Sequence, residues 1–154
     1  MPARTVTRER AGSHITPEIS EWLMRRLRFP VLATISSSGM PSQSVMWFDL
    51  DPDRPDTILM NTRVGRRKEH HLRRDNRASL IFPEGYFSRT FAGRIDLDDD
   101  RARSLDDIKR LARRYGSDPS RFEGQERVTM RLHVERTHSQ FSVGAARGTP
   151  TVDE

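Results

Sequence analysis

Residues 59–80 read LMNTRVGRRKEHHLRRDNRASL. A strand-like run, Thr57 to Met60, leads into this stretch. A turn follows, then a helical pattern to about Asp75, then a second strand-like run from Ala78 to Phe82. Between Arg63 and Arg77 stand seven basic and two acidic residues, an excess equal to the formal net charge of the whole chain, +5. The basicity is therefore local, and the remainder is close to balanced. A strand-to-helix turn with free backbone N–H groups and cationic side chains is a ready anion site. Arg66 and Lys68 are two residues apart, which on a regular helix sets them roughly 200° apart but in extended or turn backbone sets them on one side. If they act together, helical geometry must begin after Lys68 or just around it. Lys68 and Lys109 are the only lysines. Two readings of the stretch stand: a solvated helix start, the usual role of a charge run, and a turn that holds a phosphate.

The chain has 154 residues, enough for one domain with one core. Its hydrophobic content is 34% against 32% charged residues. That is low for a self-sufficient globule and leaves two explanations, disordered ends or a core completed by a second subunit. Cysteine is absent, which excludes disulfides and thiolate metal sites and fits a reducing cytoplasm. No apolar run approaches the roughly 20 residues that span a bilayer, and MPARTVTRERAGSH at the start has no apolar segment of the signal-peptide kind. A cytoplasmic location without membrane attachment is expected. The sequence pI of 10.6 raises nucleic acid as a partner. Outside 63–77, however, arginines alternate with Asp and Glu, so nucleic-acid binding is not expected.

Residues 1–15 read as a flexible arm and 144–154 as a flexible tail, with one domain over 16–143 between them. Thr16-Pro17 is an N-cap followed by proline at the first helical position, and Ile19, Trp22, Leu23 and Leu27 extend an amphipathic helix over 17–28. Val31 to Ile35 is a strand closed by Ser36-Ser37-Ser38-Gly39. In 42–50, Ser42, Ser44, Met46 and Phe48 share one face and Gln43, Val45, Trp47 and Asp49 the other. Neither face is cleanly apolar, which fits either a wall that meets a ligand or a half-exposed edge. Tyr86 to Leu97 is a strand in which Gly93 marks a bulge or a close backbone approach. Asp98-Asp99-Asp100 precedes a helix that ends at Tyr115-Gly116, and 117–126 reads as loop. Val128, Met130, Leu132 and Val134 alternate with polar residues, the pattern of a half-buried strand. About six short strands and three helices give a mainly β protein with flanking helices. His70 and His71 are adjacent, and His133 and His138 are five apart with no acid–histidine cluster, so no metal site is expected.

Val31-Leu32-Ala33-Thr34, Gly39-x-Pro41, Val45-x-Trp47-Phe48 and Arg66-x-Lys68-x-x-x-Leu72-Arg73-Arg74-Asp75-x-Arg77-Ala78, in this order, resemble the flavin/deazaflavin oxidoreductase superfamily. This is the split-barrel group related to pyridoxamine 5′-phosphate oxidase, and the match is closest to its actinobacterial branch that uses the deazaflavin coenzyme F420. The resemblance covers roughly residues 17–140, and the arginine–lysine stretch is its specific part. It implies a six-stranded antiparallel split β-barrel and a homodimer with cofactor sites at the subunit interface. It implies that Arg66 and Lys68 bind the cofactor's anion and that Ser42, Ser44 and Val45, with Met60, Asn61 and Thr62, flank its ring. By position rather than identity, these six correspond to the family's ring-flanking residues. The implied activity is hydride transfer between reduced F420 and a small unsaturated or conjugated substrate. FMN, which has a similar anion, is the alternative cofactor, and a non-catalytic F420 or flavin carrier is the alternative role. Arg63, Arg67, Arg73 and Arg74 offer a basic surface for the glutamate tail of F420. The C-terminal pattern of vitamin B6 oxidases is missing, so B6 oxidation is not expected. Tyr86, His133, His138 and water are all open as proton donor.

Overall fold

The computed structural model describes residues 14–140. Within the expected arm only His14 and Ile15 are described, and the expected tail at 144–154 lies outside the described residues. Ile15 is part of the folded unit: its N–H donates to Asp56 Oδ1 at 2.7 Å and its side chain packs on the core.

Helix α1 spans Pro17–Met24. Thr16 caps it, its hydroxyl accepting from the Ile19 N–H at 3.3 Å. The helix stops four residues short of the expected end. Arg28 folds back instead, donating from Nε to the Trp22 carbonyl at 3.0 Å and laying its guanidinium 3.5 Å from the centre of the Trp22 ring. A side chain has taken a carbonyl that a longer helix would have bonded internally.

Strands β1 (Val31–Ile35) and β2 (Pro41–Val45) form a hairpin whose turn needs Gly39 at φ +83°. Then follow β3 (Asp49–Leu50), β4 (Thr57–Arg63), helix α2 (Arg67–Arg74), β5 (Arg77–Glu84), β6 (Phe87–Asp98), helix α3 (Arg101–Arg114), a 3-10 turn at Pro119–Phe122 and β7 (Arg127–Gln140). The seven strands form one antiparallel sheet in the order β2-β1-β5-β6-β7-β4-β3.

The expected six strands are corrected to seven among the described residues, because the run read as one strand over 42–50 breaks at residues 46–48. There the backbone turns to other partners: the Met46 N–H donates to Pro30 O at 2.8 Å and the Phe48 N–H to Tyr115 Oη at 3.3 Å. The break lets one run serve both edges of the sheet, β2 at one side and β3 at the other. Three unpaired residues reach roughly 14 Å at most, so the sheet must curl until its edges approach. Among the described residues no ladder joins β2 to β3, and the curled sheet is not closed.

Leu32, Phe48, Met60, Phe82, Phe91 and Met130 fill the inside of the curl. Helix α3 covers the outer face of β4 and β7 through Leu59, Ile108 and Leu111. Strand β4 is therefore buried at six consecutive positions, 57–62. The same cover corrects the reading of β7 as half-buried: Thr129 and Arg131, on its polar file, are buried beneath α3. Gly93 shows both expected features. The ladder shifts register between Ala92 and Gly93, and a Cβ at Gly93 would stand 1.9 Å from the His133 carbonyl oxygen. Among the described residues no helix is long and apolar enough to cross a membrane.

Candidate functional site

Strand β4 runs out of the core at Arg63, and the chain turns through Val64 and Gly65 into α2. Gly65 has φ +87°, a conformation costly for any residue with a Cβ. The Glu69 carboxylate, one turn into the helix, reaches back to accept the Gly65 N–H at 2.5 Å. This resembles half a capping box and fixes where the helix begins. Arg66 sits at the N-cap in extended conformation, and its side chain has no oxygen to cap the first turn. The helix begins at Arg67, one residue before Lys68, so Arg66 lies outside the helical rotation. Both side chains then line the same groove.

The groove has a volume of about 310 Å³. Arg63, Arg66, Lys68 and Arg127 supply cations to it. Its apolar lining comes from Val45, Trp47, Ile108, Leu111 and Phe122. Trp47 is held flat against Tyr115, with ring centres 5.1 Å apart and planes 9° from parallel, and meets Phe122 edge-on at 6.3 Å. Tyr115 is itself locked, its hydroxyl donating to Arg28 O at 2.5 Å.

Among the described residues no carboxylate forms an ion pair with any of the four cations. Burial, and then the charges of Arg66 and Arg127, push the Lys68 ammonium below the usual lysine range. Burial, and then Arg63 and Arg66, lower the Arg127 guanidinium to about 10. Both shifts record cations held together with too little water and no counter-charge, the condition an incoming anion relieves. A planar apolar wall beside such a cluster suits a ligand with a flat ring system and a negatively charged appendage.

Of the residues singled out from the sequence, Val45, Asn61, Thr62, Arg66 and Lys68 line the groove. Met60 is wholly buried in the core. Ser42 and Ser44 sit on the half-buried file of β2, paired with Thr34 and Leu32, and away from the exposed Val45 file. The expected tail surface also divides. Arg73 is bound by Glu69 and Asp99, at 3.0 and 2.6 Å. Arg74 donates to Ile35 O at 2.6 Å and borders a different depression. Neither lines the groove. Of the proposed proton donors, Tyr86 is 85% exposed in a hairpin turn. His133 pairs with Asp96 at 2.7 Å and His138 lies on the exposed part of β7, so none of the three borders the groove.

The sequence reading missed Trp47 and Arg127 as site residues. Trp47 was visible as an outward residue of an ambiguous strand. Arg127 lies 61 positions after Arg66 in a locally acidic stretch, and only the pairing of β7 with β4, which sets Arg127 opposite Arg63, brings it in.

Residues 15–141 match the family model described as pyridoxamine 5′-phosphate oxidase. None of the curated proteins matches the chain. Among solved structures, a conserved hypothetical protein from Mycobacterium tuberculosis aligns with a TM-score of 0.73 at 22% identity, over 96% of this chain and 98% of that one. An F420 reductase aligns at 0.67 and 20% identity, over 80% of this chain and 98% of its own. A Clostridium acetobutylicum protein of the pyridoxinephosphate oxidase family, related to general stress protein 26, aligns at 0.62 and 17%, over 80% and 86%. At such identities the structural likeness carries the fold alone.

Proposed function

Because the chain belongs to the pyridoxamine 5′-phosphate oxidase family, we propose that it is an oxidoreductase that holds the deazaflavin coenzyme F420 in the groove. There it transfers a hydride to a small conjugated or unsaturated substrate. One observation carries this reading: four cations with no carboxylate partner among the described residues stand in the same groove as the rigid Trp47–Tyr115 stack. The cofactor would supply the hydride; the protein's part is binding, orientation and electrostatics. Arg66 and Lys68 take the phosphate-type anion, with the amides of the α2 first turn behind them. Val45 and Trp47 face the ring. Thr62, on β4, offers a hydroxyl at the groove wall.

Two observations keep alternatives in view. Arg73 and Arg74 are engaged elsewhere, which narrows the surface for a glutamate tail and favours FMN as the alternative cofactor. No neutral-range titrating side chain lines the groove among the described residues, so the proton comes from water, or else the protein serves as a carrier. We also place the working unit as a homodimer of split barrels. Met40, Val45, Phe29 and Leu27 are 68%, 67%, 53% and 47% exposed, and exposed apolar side chains of this size fit a subunit interface.

The test is equilibrium titration of purified apo-protein with F420 and with FMN, then single-turnover oxidation of the reduced bound cofactor. Tight F420 binding with turnover supports the enzyme reading, and tight binding without turnover the carrier. Binding of neither overturns both. Light scattering at micromolar concentration should give the mass of a dimer; a monomer mass throughout removes the dimer.

A further inference from the structure

Arg127 faces Arg63 directly across the β4–β7 ladder, and like charges so placed repel. Neutral acceptors hold it in place. Its Nε–H donates to Asn61 Oδ1 at 2.9 Å and its Nη1 to Gln125 Oε1 at 3.0 Å. The guanidinium carbon lies 5.3 Å from the centre of the Phe122 ring. Amide oxygens fix a guanidinium without cancelling its charge, and a carboxylate in the same place would cancel it.

Asn61 is itself fixed at its other end. Its Nδ2 donates to Ser104 O at 2.9 Å and to Thr129 Oγ1 at 3.2 Å. A backbone carbonyl only accepts, so this contact alone sets which end of the amide faces Arg127. The Thr129 hydroxyl donates to Asp107 Oδ2 at 2.7 Å, which turns its lone pairs toward Asn61. The chain therefore has one polarity. Arg127 donates to Asn61, Asn61 to Thr129, and Thr129 to the buried Asp107. Both polar atoms of the Asn61 side chain are spent on the protein.

We propose that Asn61 is a positioning residue rather than a cofactor contact, and that it holds Arg127 as a third cationic arm of the anion site beside Arg66 and Lys68. The proposal rests on the groove being the cofactor site. Arg127 reaches the groove from the strand facing β4, so the anion is gripped from two elements that are far apart in sequence. Its Nη2 donates to no acceptor among the described residues and remains available.

The experiment is a double-mutant cycle read by equilibrium binding of F420 and FMN, with melting temperature measured for every variant. R127Q should weaken both cofactors about tenfold or more, as expected for a charge-assisted hydrogen bond. N61L should weaken them to a similar extent. The double variant should bind no worse than R127Q alone, because Asn61 acts through Arg127. A merely structural role for Asn61 would give losses that multiply. T129V loosens the same chain with little change of shape and stands in if N61L does not fold. It should cost about 2- to 5-fold and nothing further on top of R127Q. Wild-type affinity in R127Q alongside a loss in R66Q overturns the third arm and leaves the cofactor site standing. Losses that multiply, or wild-type affinity in both N61L and T129V, overturn the positioning role. Failure of both cofactors to bind the wild-type protein overturns the cofactor site and this inference with it.

Discussion

Arg127 and Arg131 stand four residues apart on the same file of β7, and α3 passes over both neighbourhoods. Their surroundings are opposite. Arg131 is buried among three carboxylates, with Asp98 at 2.9 Å, Asp51 at 3.1 Å and Asp107 at 3.6 Å. Among the described residues, the Arg127 guanidinium has only amide oxygens as acceptors, and it faces another arginine. A count of basic residues does not separate these two places. The distinguishing quantity is counter-charge: at Arg131 carboxylates surround the cation and clamp α3 to the sheet, and at Arg127 no carboxylate among the described residues pairs with it.

Stability gives the largest expected contrast. R131L would leave the largely buried Asp51 and Asp107 carboxylates without their cation and Asp98 with Arg103 alone, which costs on the order of 3–5 kcal/mol. R127Q removes a repulsion and should leave stability unchanged or slightly raised. Urea unfolding of both variants measures the difference; equal destabilisation would erase the distinction between the two clusters.

Affinity should show the reverse order. R66A or K68A should weaken cofactor binding by about 1.5–3 kcal/mol, roughly 10- to 150-fold. R113A, on the exposed side of α3, should have almost no effect. Similar losses at all three positions in a fluorescence titration would mean that general positive charge is responsible.

The two clusters should also respond to opposite ends of the pH scale. Lys68 and Arg127 release their protons below their ordinary values in the folded protein. Between those folded values and the ordinary ones, the unfolded chain holds more protons. Apo-protein stability contributed by these groups therefore rises with pH as they discharge. Cofactor affinity falls over the same window, because the anion needs the charged forms. At the acid end, the Asp98 carboxyl is held well below the usual range by hydrogen bonds from Arg103, which together with those from Arg131 outweigh the effect of burial. Its contribution to stability is complete above the ordinary aspartate value and fades as pH falls toward the lowered one. Melting curves of apo and loaded protein across pH check both signs. An affinity that is flat from about pH 8 to 10.5 would show that Lys68 carries no charge-dependent contact.

Salt should give the smallest effect. F420 affinity should fall more steeply than FMN affinity as ionic strength rises from about 0.05 to 0.5 M. The sequence alone assigned that slope partly to Arg73 and Arg74. With both engaged elsewhere, R73Q/R74Q should change the slope less than R63Q/R67Q, each exposed contact contributing about 0–1 kcal/mol. Matching slopes for the two cofactors, with FMN binding more tightly throughout, would replace F420 by FMN.

Much of the fold was legible because its signals are local. Thr16-Pro17 starts α1, Asp100 caps α3, and Gly93 marks the close approach of β6 to β7. The break at 46–48 was not legible, since the groups that draw the strand aside, Pro30 O and Tyr115 Oη, are distant in sequence. The burial of Thr129 and Arg131 was hidden for the same reason: α3 and three aspartates cover a file that alternation alone reads as exposed. In the groove, Arg66 and Lys68 stood out through local charge. Arg127 did not, because Glu123 and Glu126 mask it in sequence and only the ladder reveals it. Arg73 is engaged by one partner that is local, Glu69 four residues earlier on α2, and by one that sequence proximity hides, Asp99 26 residues away.

The place of β7 between β6 and β4 has a consequence for biosynthesis. Strand β4 leaves the ribosome some 64 residues before β7 begins. Until then its six core-facing and helix-facing positions have only the two residues of β3 beside them. A nascent or truncated chain ending before Arg127 thus carries an apolar strand with an open edge, the pattern that recruits other chains. A fragment stopped at Gly124 should accumulate in aggregates when expressed, and co-expression of a peptide spanning 127–140 should return part of it to solution. Pairing of β7 with β4 is then also the step that brings Arg127 to Arg63, so the fourth cation of the groove arrives only as the open edge of β4 is closed.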